Sequence, residues 1–438
     1  MHLGKPIDAE LAQAIASAIA AKYAADGYSR PNVRIDDRMI GAGVLALDVV
    51  ETRISSMQIV GDPGPYEDRL HALGRGLYAD SLLRTSDLQS TVRRMRALPG
   101  LTLSAATSRD AELPGAYTLN LDTEFRPVTG MARMSNRGTD EIGTDFVLGQ
   151  VTANGLFAGR ANVGLLFGAA TDYDEYHGAG LNGSVAVGSG ETRVIASGFR
   201  SRSDPNEAPA DRDDRYVRDR GSVMVAKPLR DSAERQLMLT AGLRSEDLAI
   251  DRAGLRLRDE RLRLVEFGLR WTKRPRPASQ YAVGFELIRG IDGIGAGLRA
   301  DDLSNDPRRV DLSMLVVDYV RVAQLNSVWS WRLNALAQHS NDVLPYLERF
   351  KIGGDRLGRG FEVAEISGDR GLGARVETLR RVDALQSAVG AVSFYLTYDL
   401  AAAWKNDLPG RESAATAGAG LVLNGEAMSG RIEIAKPL

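Results

Sequence analysis

Ser327 to Gln338 reads SVWSWRLNALAQ. Trp329, Trp331, Leu333, Ala335 and Ala337 alternate there with Ser330, Arg332, Asn334 and Gln338, the two-residue period of a strand with one apolar and one wet face. Such a strand needs neighbours that repeat its pattern, and the chain supplies them. Val265, Phe267, Leu269 and Trp271 stand opposite Glu266 and Arg270, and Tyr281, Val283, Phe285 and Leu287 stand opposite Gly284 and Glu286. From Val128 to Leu438, about 15 segments of this texture recur at a mean spacing of roughly 20 residues, longer than a sandwich shows and suited to spanning strands with loops at both ends. Periodicity alone leaves a soluble β-sandwich or propeller open. Aromatic residues near strand ends, such as Trp271, Tyr319 and Trp404, match a girdle at a lipid interface.

At 438 residues the chain is too long for one core, so two or more folded units are expected. Charged residues make up 26% and the formal net charge is −2, a balance that speaks against a nucleic-acid partner or a polybasic membrane-surface segment. No run approaches the roughly 18 apolar residues of a spanning helix, which excludes a helical membrane protein, whereas a barrel strand needs only about 10 alternating residues. With no cysteine, disulfides, thiolate metal sites and cysteine nucleophiles are removed together. Met1 to Pro6 lacks the basic start and apolar run of a signal peptide, so a processed start or a fragment is expected.

The first part of the chain has a different texture. Asp8 to Asp26 is apolar at helical spacing, stops at Gly27, and gives way past Pro31 to a strand through Val33 and Ile35 and another within Gly43 to Arg53. A fuller unit follows: a strand at Ile54 to Gly61, a helix through Tyr66 to Tyr78, and a helix from Ser86 to Leu98 with Ser86 as its cap. Pro99-Gly100 ends that helix, and strands at Leu101 to Ser108 and Tyr117 to Phe125 flank a turn at Pro114-Gly115. The expected divisions are residues 1–53, 54–126 and 127–438.

Glu348 to Glu377 reads ERFKIGGDRLGRGFEVAEISGDRGLGARVE, and it resembles the signature loop and following strand of two-partner secretion transporters, the haemolysin secretion and activation proteins. The family's arginine-glycine-aromatic triplet on an inward loop is matched by Arg359, Gly360 and Phe361, with supporting turns at Gly353-Gly354 and Gly368-Asp369-Arg370-Gly371. Gly358 stands where the family usually has an aliphatic residue. Phe394 to Trp404, FYLTYDLAAAW, is similar to the family strand whose inward aspartate meets the loop arginine, and Asp399 holds that place, with Ala401 where glycine is usual. Asn136-Arg137-Gly138-Thr139 and Ala435-Lys436-Pro437-Leu438 agree more weakly.

This resemblance implies a mainly β fold: a transmembrane antiparallel barrel of about 15–16 strands, with an inward loop near 343–370, preceded by small α+β POTRA domains, the first of them partial. About eleven strands precede the loop and four follow it, so the family's last strand is expected to be missing. It also implies a bacterial outer-membrane location with the POTRA domains in the periplasm. An unfolded secreted partner, such as a large adhesin or haemolysin, would be captured by those domains and passed through a monomeric barrel set in outer-membrane lipid. The alternatives are an assembly factor for other barrel proteins and a passive porin. No enzyme activity, cofactor or nucleic acid is implied. Physically, the Arg359 guanidinium is a rigid fork of donors suited to a carboxylate, and Asp399 shares the inward phase of Tyr395 and Thr397, so an Arg359–Asp399 lock is expected.

Other signals lead nowhere. Gly178-Ala179-Gly180-Leu181-Asn182-Gly183 spells a dinucleotide fingerprint but opens no apolar helix, and it reads as strand glycines. His2, His71, His177 and His339 have no ligand spacing, and no nucleophile elbow or zinc-protease motif occurs. The acidic runs Asp211 to Asp214 and Asp301-Asp302 lack a calcium-ligand pattern and read as solvated loops.

Overall fold

The computed structural model describes residues 8–36, 44–78, 82–136, 138, 143–188, 191–205, 214–232, 234–276, 279–300, 306–382, 390–425 and 428–438. Met1 to Pro6, Arg137, Thr139, Asp211 to Asp213 and Asp301-Asp302 lie outside the described residues. The chain forms two compact units: residues through Thr129 with Ala153–Ala161, and Gly130–Thr152 with Asn162–Leu438.

In the first unit, α1 (Ala9–Ala25) starts at Asp8, whose carboxylate accepts the Leu11 N–H at 2.7 Å and so satisfies a donor the helix start leaves free. Strands β1 (Asn32–Asp36) and β2 (Ala46–Val50) pair antiparallel. Then come β3 (Arg53–Asp62), α2 (Glu67–Gly74), α3 (Thr85–Arg96), β4 (Leu101–Arg109) and β5 (Ala116–Phe125). Central β5 lies parallel to β3 and antiparallel to β4, and the parallel pair needs a crossover, which the two helices provide. Ile54, Tyr66, Leu70, Met95, Leu119 and Leu121 form the buried core between helices and sheet. The expected Ser86 cap is corrected: α3 begins one residue earlier, which places Ser86 inside its first turn, and its hydroxyl donates instead to Asp87 at 3.2 Å. The helix expected through Tyr66 to Tyr78 is shorter, because tight turns at Gly64–Tyr66 and Arg75–Leu77 flank α2.

The second unit is built on one large antiparallel sheet. Its strands are β6 (Val128–Ser135), β7 (Phe146–Gly155), β8 (Ala161–Ala170), β9 (Tyr176–Val187), β10 (Thr192–Ser203), β11 (Asp214–Asp231), β12 (Arg235–Arg252), β13 (Leu255–Arg276), β14 (Ser279–Gly290), the short β15 (Gly297–Ala300), β16 (Ser313–Gln324) and β17 (Trp329–Ser340). After a long connection containing β18 (Phe350–Ile352) and β19 (Ile366–Gly368) come β20 (Arg370–Arg381), β21 (Ala391–Trp404), β22 (Glu412–Asn424) and β23 (Ser429–Pro437). Neighbours in the sheet follow chain order from β6 to β23, with β15 set aside on β13 and β18–β19 forming their own pair.

Burial in this sheet is inverted relative to a soluble core. On β20, Val376 is 43% exposed while its neighbour Glu377 is 1% exposed. Register carries the same division across strands: Leu333 faces Val376, which faces Tyr398, while Arg332 faces Glu377, which faces Thr397. Apolar side chains outside and charged ones inside are what a barrel with a wet lumen presents to lipid. At the end where β17 starts, Trp271 packs edge-on against Tyr281 at 5.3 Å, and Arg321 and Arg380 lie over Trp331 and Trp329. That is an aromatic and cationic belt suited to a headgroup layer.

Three adjacent strands outrun the rest: β11 and β12 have 18 residues and β13 has 22. Beyond the apolar positions Val265, Phe267, Leu269 and Trp271, the same face of β13 carries Asp259, Arg261 and Arg263, and Arg261 pairs with Asp259 while Arg263 pairs with Asp247 of β12. Such a salt-bridged surface belongs in water, beyond the lipid.

Candidate functional site

The connection between β17 and β20 turns inward and is gripped from several sides. Its Asp355 pairs with Arg133 of β6 at 3.3 Å, its Glu348 with Arg244 of β12, and its Arg359 with Glu377 of β20 and Glu433 of β23. One loop can touch both ends and the middle of the strand path only if the sheet curls around it. β18 and β19 pair as Phe350 with Gly368 and Ile352 with Ile366, giving the loop a stiff stem. Phe350, Ile352 and Leu357 bury against Ala401, Ala403 and Ala414 of the wall, and the Phe361 ring packs onto this cluster.

The turns are made by the glycines the sequence marks. Gly353, Gly354 and Gly358 have φ of 112°, 84° and 73°, the left-handed region that favours glycine. Gly360 serves differently: a Cβ there would lie 2.6 Å from the Pro437 nitrogen, so only glycine lets the loop tip press on β23. Gly368 and Gly371 similarly leave room for the Trp404 backbone and the Phe350 ring.

Asp369 is fully buried at the loop's exit and ties three segments together. Its two oxygens accept the N–H of Leu344 and of Asn406, each at 2.7 Å, and Asn406 donates on to the carbonyls of Ser340 and Asp342. The loop is thereby closed at its base by one carboxylate.

The expected lock between Arg359 and Asp399 takes another form. Asp399 is gripped by Arg375, whose Nε and Nη2 each lie 2.7 Å from a carboxylate oxygen, and it accepts the backbone N–H of Gly358 at 2.9 Å and of Arg359 at 3.4 Å. The Arg359 guanidinium points past it, 3.0 Å from Glu377 and in contact with Glu433. The physical reason is local: Arg375, on the neighbouring strand and directly opposite Asp399, already occupies the carboxylate with a bidentate fork. Arg375 also donates to the Asp355 carbonyl at 2.7 Å, so it joins wall to loop.

Glu377 is the centre of the cluster, with Arg359 at 3.0 Å, Arg431 at 2.9 Å and Arg332 at 3.6 Å. Arg431 also stacks 4.6 Å above the Tyr395 ring, whose hydroxyl meets Glu433. Arg375, Glu377, Arg431 and Glu433 were not singled out from sequence, although each lies in the inward phase of its strand. Their alternation was the available signal. On the loop stem, burial and the nearby Arg218 hold the Lys351 ammonium below its ordinary pKa.

Among the described residues, no group of three or more His, Cys, Asp or Glu could hold a metal ion, and no helix is long and apolar enough to cross a membrane. Asp214 of the acidic run is held by Arg252 at 2.6 and 2.8 Å. The glycines at 178–183 lie within β9.

No curated protein sequence matches the chain. Among solved structures, CdiB from Escherichia coli is similar with a TM-score of 0.74 at 19% identity, over 99% of this chain and 81% of that one. CdiB from Acinetobacter baumannii follows at 0.64 and 15%, over 100% and 80%, and BamA from Haemophilus ducreyi lacking POTRA domains 1–3 at 0.56 and 13%, over 99% and 91%. These likenesses show the fold, a β-barrel of outer-membrane type. Residues 228–424, which run from β11 through the inward loop to β22, match the family model of the haemolysin secretion/activation protein ShlB/FhaC/HecB.

Proposed function

We propose that this transporter of the two-partner secretion type captures an unfolded secreted partner through its first unit, acting as periplasmic POTRA modules, and passes it through a monomeric barrel. The observation that carries the reading is the inward loop: a triplet-bearing hairpin pinned to the wall by Asp399, Arg375, Glu377 and Glu433. A passive pore has no need of so many contacts on one loop. Large adhesins or haemolysins are the class of client the family description favours.

Capture is assigned to the open edge of β4. Beside it, α3 and the sheet leave a groove of about 480 Å³ with Leu88, Val92, Ala105 and Leu119 as apolar lining and Arg93 and Arg96 among its polar residues. An extended client adds a strand to such an edge through backbone hydrogen bonds, with little demand on its sequence.

Among the described residues, fifteen strands lie along the path from β6 to β23, so with alternating directions its two ends run the same way. The test of function is secretion of a cognate partner encoded beside this gene, in cells carrying or lacking the protein. Export that continues without it would sink the reading.

A further inference from the structure

The inward loop is held at a second wall, far from its triplet. Glu348 ends a tight turn at Tyr346–Glu348, and its carboxylate takes both terminal nitrogens of Arg244 on β12, at 2.6 and 2.9 Å. Arg244 also meets Glu246 on its own strand and Glu266 on β13, and Glu246 holds Arg218 of β11. Arg244, Glu246, Glu266 and Glu348 are all buried. A bidentate, charge-assisted pair shut away from water is strong and geometrically strict.

Arg218 and Arg244 pair with Glu246 and Glu266 within the wall, and Glu348 is the carboxylate that the loop brings to Arg244. The Glu348 backbone carbonyl is fixed too, by Gln338 of β17 at 2.9 Å. Between this point and Arg359 run the stem and its glycine turns, which Leu357 and the Asp355 carbonyl join to the opposite wall. Glu348 is held at the start of the limb leading to Arg359, so its height is one of the constraints on where the Arg359 guanidinium arrives.

We propose that Arg244 and Glu348 are positioning residues: a second anchor that fixes the rising limb of the inward loop and thereby aligns Arg359 with Glu377 and Glu433. The anchor's effect on export rests on the transporter reading, but its effect on the loop does not. The experiment uses the full chain in lipid vesicles and planar bilayers, with Val363→Cys as the sole thiol of the protein, since the sequence has no cysteine and Val363 is exposed near the tip. Glu348→Ala should speed labelling of that thiol by an impermeant maleimide roughly tenfold, as loss of a charge-assisted bond implies, and make channel openings more frequent. Glu348→Gln keeps one acceptor oxygen and should fall between. Heat-modifiable migration should stay that of a folded barrel in both, because Arg244 keeps Glu246 and Glu266 as partners. A purely structural role for Glu348 would change folding and leave tip reactivity alone. Parental labelling and conductance in folded Glu348→Ala, or in Glu348→Gln if the alanine variant does not fold, overturns the proposal. A parent protein that exports no partner leaves these readings intact and counts against the transport function alone.

Discussion

Arg359 and Asp399 meet at one place in the lumen but are held by different partners, and the difference sets what each substitution does. Asp399→Ala strands the buried Arg375 fork and frees the Gly358 N–H, so it should destabilise the barrel by about 3–5 kcal/mol. Arg359→Ala should cost less, because Glu377 keeps Arg431 and Glu433 keeps the Tyr395 hydroxyl. In double-mutant cycles read by urea unfolding in vesicles, Arg359 and Glu433 should couple by about 1 kcal/mol or more, and the Arg359 and Asp399 side chains by much less. The reverse ranking would restore the simple lock between the triplet and Asp399. The triplet and the inward phase of Asp399 were legible in the sequence because each lies within one short segment. Glu377 and Glu433 were not, since only strand register, which sequence does not state, brings β20 and β23 to the same arginine.

At the level of single strands the alternation is the strongest message in the chain. Leu333 and Arg332 were assigned to opposite faces from their period alone, and the pairing of Leu333 with Val376 and of Arg332 with Glu377 shows the same division. Leu333→Arg should therefore cost about 2–4 kcal/mol if it lies near the midplane, while Asn334→Ser should be nearly silent. Single cysteines at 331 and 332 make a second check: an impermeant thiol reagent should reach position 332 and spare 331, and equal labelling at both would overturn the facing. Short-range helix signals were less reliable. Ser86 looked like a cap, but a cap is defined by the backbone angle of one residue, and that residue proved to be Arg84. In the same unit, proline in edge strand β4 removes a backbone donor and should weaken partner binding, measured by pull-down, without changing barrel abundance.

For the whole molecule, the two compact units make a further prediction. Removing residues 1–126 should leave a heat-modifiable barrel in the outer membrane and abolish export, whereas export by the shortened chain would remove the capture step from the mechanism. The three long strands give the mouth of the barrel a shape of its own. At about 3.3 Å per residue, β13 runs some 70 Å along its length, far more than an apolar band roughly 25 Å tall requires. Its ion-paired outer face rises past that band together with β11 and β12, and β15 adds to it by pairing at Arg258–Arg261. On this side the rim of the barrel is a tall screen of mutually paired charges. A polypeptide passing it would meet a wetted surface with little apolar area to adhere to, so this stretch of the rim would release an unfolded segment into water rather than hold it against the lipid.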